Sequence, residues 1–252
     1  MKKRNDMNIG LFIPCYVDQF YPKIAIATLK TLEGCGLRVD YPINQTCCGQ
    51  PMANTGCTGD AKAAAEKFVA SFEQYDYVVC PSGSCVSFVR NHYDFLEKTS
   101  ALEKVRKNTY ELCEFLVDIV KKDDFNATFP HKISLHNCCH GHRGLRLAQS
   151  SERVAPYYSK IKQLLHKVEG ITLVEPEYTD ECCGFGGTFS INEEAMSCKM
   201  GLDRIADHQQ TGSEFITGVD MSCLMHMEGL IKRYNKPIQV RHVAEILAGG
   251  RI

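Results

Sequence analysis

One ordered set of cysteines occurs twice along this chain, and that repetition limits what the chain can fold into. A lone Cys15 is followed by Cys47-Cys48-Gly49 and then by Ser82-Gly83-Ser84-Cys85. In the same order, a lone Cys139 is followed by Cys182-Cys183-Gly184 and then by Asp220-Met221-Ser222-Cys223. The offsets between halves are 124, 135 and 138 residues, so the spacing is kept apart from one insertion between the first and second elements. Two copies of one structural unit are expected, residues 1–127 and 128–252, joined near the polar stretch from Lys121 to Pro130. The chain has 14 cysteines among 252 residues, and a chance scatter of small buried hydrophobes would not repeat its order.

Short apolar runs alternate with helical patterns. Asn8 to Pro14, Leu37 to Tyr41, Tyr77 to Cys80, Lys132 to Leu135, Ile171 to Val174, Glu214 to Thr217 and Pro237 to Val240 read as strands. Between them Tyr21 to Gly34, Asp60 to Tyr75, Val86 to Val120, Ser151 to His166, Ile191 to Gln210, Met221 to Tyr234 and Val243 to Leu247 read as helical. Such alternation predicts an α/β fold: two tandem homologous Rossmann-like units, each a mostly parallel sheet flanked by helices.

Every repeated cysteine falls just after a strand. In a parallel sheet the carboxyl ends of the strands share one edge, so thiols distant in sequence converge there. One set is Cys15, Cys47, Cys48 and Cys85; the other is Cys139, Cys182, Cys183 and Cys223. The glycine after each pair lets the backbone turn so that adjacent side chains address one centre, and helix N-termini after these loops favour thiolates. Soft sulfur donors suit zinc or an iron–sulfur cluster, and spacing alone does not choose between them.

The remaining features are mostly exclusions. The net charge of −1 gives no electrostatic footprint for nucleic acid. No apolar run approaches the roughly 20 residues of a membrane span. The start Met1 to Met7 is basic, but the apolar run behind it is too short for an export signal. A cytoplasmic address follows, where clustered cysteines bind metal or do redox chemistry rather than form lasting disulfides. Gly184-Phe185-Gly186-Gly187 lacks the ending of a phosphate loop, and no flavin or nicotinamide fingerprint is present. Cys35, Cys57, Cys113 and Cys198 have no counterpart in the other half and are expected to be buried. Cys80 and Cys138 lie beside the sets without fitting the repeat. His136, His140, His142 and Arg143 surround Cys139 and offer an imidazole ligand, a proton carrier or an anion contact, with a loop-orienting network as the equal alternative.

The phrases CCGQP, CPSGSC, CCGFGG and CLMH, set in this repeated order, resemble the CCG cysteine-rich domain family over nearly the whole chain. Relatives with this domain include heterodisulfide reductase and the iron–sulfur subunit of glycolate oxidase, and the form without a ferredoxin module is similar to the lactate-utilization protein A type. The resemblance implies an iron–sulfur electron-transfer subunit of a multi-protein system oxidising L-lactate to pyruvate. It also implies other subunits as partners, among them a ferredoxin-type iron–sulfur protein, and an attachment to the membrane only through such partners. The eight repeated cysteines would then hold one or two clusters, of the [4Fe–4S] kind, with zinc binding or thiol–disulfide chemistry as the alternative. Where the family has the first cysteine of a C-x-x-C, this chain has Ser82 and Asp220. Four thiols per half suit an ordinary cluster rather than the five-thiolate centre of heterodisulfide reductase. Cys80 could substitute in the first half, though Gly218 stands at the equivalent place in the second; an oxygen ligand from Ser82 or Asp220 is the other option. His226 is placed either to donate to a cluster sulfur or as an ordinary surface or core histidine.

Overall fold

The computed structural model describes residues 7–122 and 124–249; the basic start and the last three residues lie outside them. Two four-stranded sheets form, both fully parallel. The first orders β1 (Ile9–Leu11), β2 (Val39–Asp40), β3 (Tyr77–Cys80) and β4 (Thr109–Glu111) as β2-β1-β3-β4. The second repeats that permutation with β5 (Lys132–Leu135), β6 (Thr172–Val174), β7 (Phe215–Gly218) and β8 (Gln239–His242), as β6-β5-β7-β8. Ile9 is in register with both Val39 and Tyr77, and Ile133 likewise with both Leu173 and Phe215. The central strands β1, β3, β5 and β7 are almost wholly buried, as strands covered on both faces must be.

The flanking helices follow their apolar spacing. Pro22–Glu33 starts on a proline and buries Ile24, Ala27, Thr28, Thr31 and Leu32 along one stripe. Thr58–Phe72 buries Ala61, Ala65, Phe68 and Phe72 in the same way. Two expectations are corrected. Helical segments do not fill Val86 to Val120: Gly83–His92 and Ser100–Asn108 are followed by a strand, β4, whose β-branched Thr109 and neighbours complete the sheet beside β3. Ser151 to His166 is helical only over Lys160–Leu165, because Pro156 interrupts the segment and Ser159 caps the helix, accepting from the Lys162 N–H at 3.3 Å.

The halves interlock. After β4 the chain enters Leu112–Glu114, which packs on Lys160–Leu165 of the other half; after β8 it enters Val243–Leu247, which packs on Pro22–Glu33. One apolar cluster therefore runs through both sheets. Ser82 and Asp220, equivalent in the repeat, form an antiparallel bridge to each other, and the Gly83 N–H donates to the Val219 carbonyl at 3.1 Å. Equivalent residues that meet each other are what an approximate two-fold relation produces.

Glu111, at the end of β4, is fully buried. Its Oε2 accepts from the Cys113 and Glu114 N–H groups at 2.7 and 3.1 Å, while Oε1 has no partner. Burial pushes its carboxyl up from 4.5 to about 8. Folding therefore takes up a proton between those values: this contribution to stability is complete below about 4.5 and is lost as pH rises through about 8. Glu111→Gln keeps the acceptor and removes the charge. We expect it to gain stability over the parent at pH 8.5, by on the order of a few kcal/mol, with little difference at pH 5. Melting curves at the two pH values check this, and parallel curves would refute the assignment.

Candidate functional site

Each cysteine element lies where the sheet edge predicts. Cys15 opens the helix Cys15–Phe20 just after β1. Cys47 and Cys48 sit in the loop after β2, and Cys85 in the first turn of Gly83–His92 after β3. In the second half Cys139 precedes the wide helical turn His140–Gly144 after β5, Cys182 and Cys183 follow β6, and Cys223 lies in the first turn of Met221–Arg233 after β7. Gly49 and Gly184 take φ of 93° and 82°, a region that favours glycine, and turn each pair back toward its own sheet. Their N–H groups donate to Cys47 Sγ at 3.5 Å and to Cys182 Sγ at 3.3 Å.

All eight thiols line a single cavity of about 370 Å³ between the two halves. Within each half the sulfurs form a chain. Cys15 Sγ lies 3.7 Å from Cys47 Sγ. Hydrogen bonds from Cys15 and then Cys48 hold the Cys47 thiol down at about 3, and bonds from Cys48 and then Cys80 hold Cys85 at about 5. Cys139 and Cys183 lower Cys182 in the same manner. The donors themselves, Cys15, Cys48, Cys139 and Cys183, are pushed up, in each case first by the hydrogen bond to the neighbouring thiolate. The N-terminal set thus alternates thiol with thiolate, and in the C-terminal set a thiolate at Cys182 lies between thiols at Cys139 and Cys183, with protons a bound cation would displace. Four clustered sulfurs, part of them ionised without a metal, fit the donor chemistry of a thiolate-held centre.

The wall of the cavity explains the two substituted positions. Asp220 Oδ2 accepts from the Ser84 N–H at 2.6 Å, and Oδ1 from the Ser222 N–H and hydroxyl at 3.1 and 2.6 Å, so one buried carboxylate caps a helix from each half. Ser82 Oγ accepts from the Cys85 N–H at 3.4 Å and contacts Ser84 Oγ. These oxygens are committed to capping. Cys80 is a buried free thiol hydrogen-bonded to Cys85. Cys138 is buried against Gly83 and Gly141, where an added Cβ would come within 3.1 and 2.9 Å of its sulfur. Cys35 and Cys113 are buried and Cys198 is half-buried, but Cys57 is exposed at the start of Thr58–Phe72, which corrects the expected burial.

The histidines separate. His140 lines the cavity and meets Gln50 at 3.4 Å. His142 Nε2 lies 2.9 Å from Asp180, and Arg143 pairs with Glu152 at the surface at 2.7 Å, so these two brace the loop. His226 Nε2 meets the Ser197 carbonyl at 3.3 Å. His136 is buried, and one of its ring nitrogens lies within 4.8 Å of Cys183 Sγ and Cys223 Sγ. Burial, then the neighbouring Arg204, lowers its imidazole to about 3. Arg204 itself escapes a reading of the sequence, since a charge on a helix is ordinarily solvated; matching the two halves residue by residue would have placed it on a buried face.

Known proteins share this layout. The pattern of the CCG cysteine-rich domain family matches residues 9–90 and again 133–228. Lactate utilization protein A 2 of Bacillus cereus (strain AH820) is 39% identical over 249 residues, covering 97% of this chain and 99% of that protein. Lactate utilization protein A of Shouchella clausii (strain KSM-K16) is 38% identical over 245 residues, covering 96% and 98%. Among solved structures, a hypothetical protein from Helicobacter pylori superposes with a TM-score of 0.61 at 13% identity. It covers 100% of this chain, which spans about half of it (52%), and the likeness is one of fold alone.

Proposed function

The chain belongs to the CCG cysteine-rich domain family, among the relatives called Lactate utilization protein A, and from that premise we propose that it is an iron–sulfur electron-transfer subunit of a multi-protein system oxidising L-lactate to pyruvate. The observation that carries this reading is the convergence of eight thiols, four from each half, on one cavity. In this reading Cys15, Cys47, Cys48 and Cys85 hold one centre and Cys139, Cys182, Cys183 and Cys223 a second, each of the [4Fe–4S] type. Such a centre supplies reversible one-electron chemistry when bound. The protein's own residues supply the thiolates, the Gly49 and Gly184 N–H donors that orient them, and the Asp220 caps that hold both helix starts.

In this reading electrons leave lactate at a site in this protein or a partner subunit and pass through the centres to a further acceptor, with a ferredoxin-type iron–sulfur protein among the components. Among the described residues no helix is long and apolar enough to cross a membrane, and we place the protein in the reducing cytoplasm. We place the boundary between the two units near residues 127 and 128.

The test is iron, zinc and acid-labile sulfide content of anaerobically purified protein, with an EPR spectrum after dithionite reduction. Near four irons per filled site with matching sulfide is the expected result. Zinc without sulfide, persisting after iron supplementation, would replace this reading with a structural or thiol-redox role.

A further inference from the structure

The walls behind the two thiol sets differ. At Gly49 an added Cβ would meet Ala61 and Ala64, and at Gly184 it would meet Ser197 and Met200, which matches the halves at an offset of 136 along this helix. Phe68 then stands opposite Arg204, and Phe72 opposite His208. The offset of 124 at the first cysteine sets Phe12 opposite His136. In the N-terminal half the three positions are buried phenylalanines, with Phe12 edge-on to Phe68 and Phe72 at 4.8 and 5.7 Å between ring centres. In the C-terminal half they are two imidazoles and a guanidinium, none more than 1% exposed.

Burying three polar groups where apolar rings would pack is costly unless they are used. Arg204 donates to the Tyr178 carbonyl, to Asp207 Oδ2 at 2.8 Å and, through Nε, to His136 Nδ1 at 3.3 Å. His208 Nδ1 meets Ser134 Oγ at 2.7 Å. His136 Nε2 is buried without a partner; one ring nitrogen lies within 4.8 Å of Cys183 Sγ and Cys223 Sγ, and with Nδ1 turned to Arg204 it is Nε2 that is left to face them. The arginine decides what that nitrogen can do. A guanidinium nitrogen only donates, so Nδ1 must present its lone pair and the ring hydrogen sits on Nε2. A nitrogen carrying hydrogen is no metal ligand, but it is a donor to sulfur. Asp207 balances the charge of Arg204, and Asp220 caps a helix of each half, so neither charge favours one site; the imidazole donor belongs to the C-terminal site, and the weaker Cys80 thiol to the N-terminal one.

We propose that His136, held by Arg204 with its hydrogen on Nε2, donates a hydrogen bond to the sulfurs of the C-terminal centre, that Phe12 gives the N-terminal centre no such imidazole and leaves it the weaker S–H donor of Cys80, and that the C-terminal centre is therefore the more easily reduced. A donor to a cluster sulfur stabilises the more negative, reduced state. The inference rests on the iron–sulfur reading above for its redox consequence, and on geometry alone for the state of the imidazole.

Two measurements test it. In reduced, metal-free protein, ¹⁵N NMR of His136 should show the hydrogen on Nε2; a hydrogen on Nδ1, or on both nitrogens, overturns the proposal whether or not iron binds. In the loaded protein, Cys48→Ser isolates the C-terminal centre and Cys183→Ser the N-terminal one, and EPR-monitored titration gives each midpoint. The C-terminal midpoint should be the higher, and His136→Phe should lower it toward the N-terminal value while leaving the latter in place. Equal midpoints, or a C-terminal midpoint indifferent to His136→Phe, would overturn it. Absence of iron and sulfide from the parent protein would instead sink the electron-transfer reading, leaving the NMR result to decide the role of His136.

Discussion

Cys48→Ser is expected to remove the N-terminal cluster and about half of the iron, and Cys183→Ser to remove the other half. Both sulfurs are buried, and each occupies the middle of its chain, bonded to the thiols on either side. A serine hydroxyl there is a harder, far weaker acid than a thiol and does not readily ionise to ligate iron. Iron and sulfide per chain, with the EPR of each reduced variant, give the result directly. The two spectra should differ and together reproduce the parent. Full iron in both variants would mean that the eight thiols have been assigned to the wrong task.

The second large effect concerns stability. Arg204 has no exposed surface, and its pairing with Asp207 at 2.8 Å compensates a carboxylate that also accepts from the Glu177 and Tyr178 N–H groups at 2.8 and 3.1 Å. Arg204→Met leaves that carboxylate buried without its cation, a change expected to cost about 3–5 kcal/mol. Adding Asp207→Asn should restore a good part of the loss, because the remaining group is neutral and still accepts a hydrogen bond. Urea unfolding of the single and double variants measures both. A single variant within about 1 kcal/mol of the parent would show that the pair is no more than a surface-like contact.

What the sequence discloses depends on whether the cause is local. Tyr77–Cys80 and Lys132–Leu135 fall at the expected bounds because buried parallel strands are continuous apolar runs between polar breaks. The thiol sets are legible because each cysteine is tied to a strand end, and the topology of a parallel sheet does the rest. β4 is not: three residues with a polar end, following a helix directly, carry no period of their own, and only the free edge of β3 makes them a strand. Cys57 has a residue type that favours burial, yet the helix it precedes turns it to solvent. Ser82 and Asp220 read as departures from a cysteine motif; each caps its own helix locally, but their bridge to each other and the Asp220 bond to the Ser84 N–H exist only once the halves face each other. Arg204 and His136 lie 68 residues apart, and nothing in either segment announces the bond between them.

The exchange of terminal helices between the halves has a consequence for how such a protein can arise and be taken apart. Val243–Leu247 rests on Pro22–Glu33, and Leu112–Glu114 on Lys160–Leu165, so each half completes the hydrophobic covering of its twin. Severing the connecting peptide would leave two fragments that still embrace, whereas either fragment made alone would present an uncovered greasy seam and seek its complement. Duplication of an ancestral gene therefore needs no new interface to have been invented: a single unit that first paired with its own copy already contained this one, and fusion only made the partnership permanent.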